Sequence, residues 1–213
     1  MQEHHQDDTR NLSIMDYINN EEVEGNYFRY IQPQLLVVVF LFVLSTISGY
    51  VFSSMNPESA EKLIEETGGI VDIIKDMSPI GIMLFIFFNN AVKSLLAILL
   101  GAGFGLLPIL FITFNGYIIG VVFYVVSREN GFAYVLSAIL PHGIIELPMI
   151  LISAAIGFRI GYETYCAVTG RQTNIRKEFM HGVKFYFRWI MPLLFVAAFI
   201  ETFITPLFIL MMS

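Results

Sequence analysis

The stretch LLVVVFLFVLSTISGYVF, Leu35–Phe52, decides the class of fold. It carries no charge and shows no alternation of polar and apolar residues. As a helix rising about 1.5 Å per residue it reaches roughly 27 Å, close to the ~30 Å hydrocarbon layer of a bilayer. A transmembrane helix is therefore expected here, and the rest of the chain repeats the pattern. Further apolar segments cover residues 80–100, 106–126, 142–158 and 190–212. The expectation is an all-α, polytopic transmembrane helix bundle of about five spans. A polar tail (residues 1–30) precedes a single transmembrane domain (residues 31–213).

Composition agrees. The chain is 56% hydrophobic and 14% charged, whereas a soluble domain carries about 25% charge. Its single cysteine, Cys166, excludes an internal disulfide and a cysteine metal cluster. The net charge of −6 hides an asymmetry: acid gathers in the first third and base at residues 159–188. That distribution bears on topology, and no nucleic-acid surface is expected from it. Arg10 and Arg29, with Arg159, Arg171, Arg176, Lys177, Lys184 and Arg188, fall on one side of a five-span chain; Lys62, Lys75 and Arg128 fall on the other. The positive-inside rule then places the N-terminus in the cytoplasm and the C-terminus outside the cell membrane. The opening residues lack the apolar run of a signal peptide, so none is expected. His4 and His5 beside Asp7 and Asp8 are read as an ordinary terminus, and Leu12, Met15 and Ile18 as a weak helical signal.

The connections carry their own signals. Asn56-Pro57 starts an amphipathic segment over residues 57–78, too short and too charged to span and expected on the membrane surface or over the bundle. Gly68-Gly69 divides it, and Ile70, Ile73, Ile74 and Met77 form an apolar stripe in its second half. Gly101 to Gly105 reads as a tight turn between helices, because no strand precedes it as a phosphate loop requires. Ser127–Gly131 is a polar turn, and Tyr27, Phe28 and Tyr30, like Phe185 to Trp189, read as interfacial anchors. Pro141 is expected either to break the fourth span, leaving residues 132–140 as a re-entrant or interfacial piece, or to kink it as one structural helix.

Polar residues inside apolar segments are the candidate site. Asn89, Asn90, Lys93, Asn115, His142, Glu146 and Glu201 are expected to form one buried polar layer. An ionisable group at mid-helix costs about 2.5–3.5 kcal/mol on insertion scales, so several together call for a shared purpose. His142 and Glu146, four apart, share one helix face. Glycines at four-residue spacing, Gly101/Gly105, Gly116/Gly120 and Gly157/Gly161, together with Gly143, are expected to let helices approach closely, those beside Asn115 bringing its amide within reach of Asn89.

Phe88-Asn89-Asn90, the Gly101/Gly105 turn, Asn115-Gly116 with Gly120, and His142-Gly143 with Glu146 together resemble the stage II sporulation protein M family, over roughly residues 35–212. The resemblance implies a multi-pass membrane protein with no established enzymatic activity. In spore-forming bacteria, members of the family act with envelope-degrading proteins during engulfment. It marks Asn89, Asn115, Gly116, His142 and Glu146 as matching the family pattern.

The leading expectation is a non-enzymatic scaffold in the lipid bilayer, homo-oligomeric with a dimer favoured, that recruits envelope proteins through residues 57–78 and 159–188. The alternative is a transporter or permease-like component with a proton- or cation-handling site at His142/Glu146. An intramembrane metal enzyme would need Glu201 as third ligand beside that pair. No metal and no cofactor are expected.

Overall fold

The computed structural model describes residues 21–67 and 76–212, and every long element in it is helical. Helix α1 spans Glu21–Met55 and α2 Pro57–Thr67. Helix α3 spans Pro79–Leu99 and continues as a short 3-10 turn, Leu100–Ala102. Helix α4 covers Leu106–Asn130 and α5 covers Phe132–Val168. The last rod is α6 (Ile175–Phe185), a π turn (Tyr186–Ile190), α7 (Met191–Phe199), a second π turn (Ile200–Ile204) and α8 (Thr205–Met212). Five of these helices are long and apolar enough to cross a membrane. The Leu12–Ile18 signal, His4 and His5, the Gly68-Gly69 break and the Ile70–Ile74 stripe lie outside the described residues, while Met77 sits in the bend before Ser78.

Local chemistry sets the boundaries. The residue before a proline is driven out of the helical region, so α1 ends beside Asn56 and Pro57 opens α2. Ser78 caps α3 by accepting from the Gly81 N–H at 3.2 Å, with Pro79 in the first helical position. The turn into α4 needs left-handed backbone at Phe104 (φ 58°) and Gly105 (φ 71°). Gly131, at φ 89°, is the whole connection from α4 to α5. Asn174 caps α6 through the Lys177 N–H at 2.9 Å.

Two expectations about extent are corrected. The expected break at Pro141 does not occur: α5 runs unbroken through Pro141 and Pro148. A proline forfeits one backbone hydrogen bond, but in hydrocarbon a fully broken helix would strand several, so continuation is the cheaper course. Residues 21–30, assigned to the tail, are already helical, and α5, α6 and the first π turn take up all of the 159–188 segment except residues 169–174.

Helix α5 is the centre of the bundle and packs against all the other long helices. Its buried face, Ile152, Ile156 and Ile160, meets Ala91 and Ile98 of α3 and Ile190 and Leu194 of the last rod. On its other side Ile150, Ala154 and Ala155 pack on Val38 and Ile112. Glycine sets the spacing at two seams. A Cβ at Gly49 would land on the Tyr117 carbonyl oxygen, one at Gly120 on that of Thr46, and one at Gly116 2.7 Å from that of Phe42. These glycines lock α1 to α4. They do not draw α4 toward the Asn89 helix, as the sequence reading had expected. At the second seam a Cβ at Gly101 would meet Gly157, and one at Gly161 would meet the Gly105 backbone, locking α3 and its turn onto α5.

The amphipathic α2 lies across α4, with Ala60 buried against Val121 and Val125. Glu58, Glu61, Glu65 and Glu66 face outward. The expected amphipathic helix is thus observed over residues 57–67, where it covers the end of the bundle. Its end of the bundle is acidic. The other end, where α1 begins and α6 starts, is basic.

The seams yield a test. Gly157→Val should lower stability by about 1–3 kcal/mol, the usual cost of overpacking, as read from SDS-induced unfolding in detergent. Gly103→Ala, whose Cβ would be 3.4 Å from the Leu100 oxygen, should leave the midpoint unchanged.

Candidate functional site

The unbroken α5 moves Glu146 deeper than a helix starting at Pro141 would. Counting from Phe132 it lies about 21 Å along the rod, and Lys93 lies about 21 Å along α3 from Pro79 at the same end. Glu201 lies about 16 Å from Met212. The three meet near mid-depth: Glu146 is within Coulombic reach of Glu201 and of Lys93. Glu201 stands in the second π turn, a helix irregularity often found at functional positions. There the Thr202 hydroxyl donates to the Ala198 carbonyl at 2.9 Å and Thr205 donates to that of Ile200 at 3.3 Å. Both threonines thus stabilise the rod's own backbone.

The expected polar layer is otherwise corrected in two respects. Asn115 donates to the Phe111 carbonyl of its own helix at 2.7 Å, so it does not join the α3–α5 cluster. Asn89 donates to Asn90 at 3.4 Å, an exchange between neighbours on one helix. Nor is the group buried. Lys93 is exposed on the bundle's flank, and Asn89, Asn90, Asn115, Glu146 and Glu201 are half-buried. Gly143 is buried in α5; the His142 side chain lies outside the described residues. The site is therefore a charged seam between α3, α5 and the last rod, open along one side.

A second polar cluster, at the basic end, escaped the sequence reading. Arg159 donates to Glu163 at 2.5 Å and to the Tyr30 hydroxyl, which itself donates to Glu163 at 3.5 Å. The guanidinium lies over the Tyr30 ring at 4.1 Å and near that of Tyr162 at 5.3 Å. Next to it the Tyr27 hydroxyl donates to buried Glu178 at 3.2 Å, and its ring meets His181 at 5.8 Å and Phe185 at 5.7 Å. Tyr186 reaches the Ala91 carbonyl at 2.8 Å. Residues expected as anchors and loop charges thus tie α1, α5 and α6 together. The i,i+4 spacing of Arg159 and Glu163 was the one available signal.

The model of the family described as Stage II sporulation protein M matches residues 38–206. The chain belongs to that family. It is also 33% identical to an uncharacterized protein of Methanocaldococcus jannaschii over 123 residues, 55% of this chain and 68% of the relative. No solved structure matches.

Tyr27→Phe should destabilise the protein by about 1–3 kcal/mol, because it leaves a buried carboxylate short of a donor. Combining it with Glu178→Gln should cost less than the two single changes added, the mark of direct coupling. Additivity in detergent unfolding would contradict the pairing.

Proposed function

We propose that the chain is a non-enzymatic scaffold of a membrane assembly, docking through the Lys93–Glu146–Glu201 seam. One observation carries this reading: three ionisable groups from three helices meet at mid-depth, yet Lys93 stays exposed. Facing lipid, such a group costs several kcal/mol or must snorkel away. A second protein surface laid over the seam removes that cost. A second copy of this chain is the first candidate, since Phe88 and Val92 flank Lys93 as exposed apolar residues suited to helix contact. The acidic face of α2 supports recruitment of an envelope protein from water. The distribution of Lys and Arg supports a cytoplasmic N-terminus and an external C-terminus in the cell membrane.

The π turn at Glu201 favours a second reading, a transporter component in which Glu146 and Glu201 handle a proton or cation. The two separate cleanly. With cysteine placed at Val92 in native membranes, oxidative crosslinking should trap a dimer, or a heterologous complex, and Glu146→Gln proteoliposomes should show no altered ion or proton flux. Monomer alone after crosslinking, with flux that Glu146→Gln abolishes, would reverse the order of the readings.

A further inference from the structure

The outer face of residues 171–189 has a property that sequence composition conceals. Both acids of the 159–188 segment are turned inward: Glu163 is held by Arg159 with its side chain 13% exposed, and Glu178 is 6% exposed beneath Tyr27. Arg159 is spent in the same cluster, its side chain 14% exposed. The outside is left to bases. Arg176, half-buried Lys184 and Arg188 follow one another at eight- and four-residue spacing along the rod, with exposed Arg171 and Lys177 beside them. The opposite side is fastened inward, with Gly182 set against Ile156 and Ile98.

Apolar groups accompany these cations. Met180, Phe187 and Trp189 are 56%, 53% and 44% exposed. The face stands where the last rod passes from the amphipathic α6 into its apolar length, at the same end as the Gly101–Gly105 turn. Cations beside exposed aromatics at the edge of a spanning helix fit the surface of a bilayer, with rings among the glycerol groups and charges on phosphate. A soluble acidic partner would explain the bases and leave the aromatics unaccounted for.

We propose that this face binds anionic phospholipid headgroups, holding a shell of them around the basic end of the bundle. The chain's own acidic opening, with Glu3, Asp7, Asp8 and Asp16 in residues 2–20, is the rival occupant, because α1, which it precedes, begins at that end.

Trp189, the sole tryptophan, is a native reporter. The full chain is placed in nanodiscs containing brominated phosphatidylglycerol or brominated phosphatidylcholine, and quenching of its emission is compared. Phosphatidylglycerol should quench more strongly at low salt, and the preference should fade near 0.5 M salt as screening sets in. Replacing Arg176, Lys177 and Arg188 by Gln should reduce the preference by up to about fivefold for each cation removed at low salt. Gln at Glu61 and Glu65, at the far end, should leave it intact and shows that the fold tolerates such changes. Equal quenching by the two lipids overturns the proposal. So does a preference unchanged in the triple variant. A preference that emerges only after removal of residues 2–20 assigns the face to the acidic opening and overturns it as well.

Discussion

Hydrocarbon gains nothing from burial in hydrocarbon, so the spans of this protein must be held together by fit rather than by escape from water. The glycine seams meet that constraint. Each places a backbone carbonyl where a side chain would stand, as at Gly120 over Thr46 and Gly157 over Ala97. Glycine is a poor helix former, by about 1 kcal/mol relative to alanine. Its use along α4 and α5 is repaid by dispersion contacts between backbones and by short loops that need little further ordering. With α1 fixed to α4 and α3 fixed to α5, the central helix has one register, and the polar groups it carries are placed accordingly.

Placement explains the two polar clusters. Around Arg159 the groups close on one another: one terminal guanidinium nitrogen, a carboxylate and a tyrosine hydroxyl are mutually bonded beside the Tyr27–Glu178 bond, while the Arg159 Nε has no hydrogen-bond partner among the described residues. At mid-depth the closure is incomplete, since Glu146 has one opposite and one like charge for company and Lys93 remains on the flank. The first arrangement is a fastening. The second is a surface with unfinished business, and it carries the functional reading.

Much of this was legible in the sequence. Apolar runs long enough to cross a bilayer marked the spans, because span length is a property of the solvent. Glycine spacing identified the seams at Gly116/Gly120 and Gly157/Gly161, although the partner helix of Gly116 and Gly120 was not the one expected. Pro141 misled because proline is a breaker by habit in water, whereas lipid penalises the exposed backbone a break would create. Asn115 misled because an amide can satisfy itself on its own carbonyl four residues back, and spacing alone does not distinguish that from a bond across helices. The Arg159 cluster was hidden since Tyr30 and Glu163 are remote in sequence, and charges near a span end read equally well as solvated anchors.

Helix α5 is long for a single crossing. At roughly 55 Å over Phe132–Val168 it exceeds the hydrocarbon layer by about 25 Å, and its basic-end portion, through Arg159 and Glu163, is held by Tyr30 of α1 and by the flank of α6. One stiff rod therefore carries both the Arg159 fastening and Glu146, so the hold at its basic end also fixes the height at which the carboxylate faces Lys93 and Glu201.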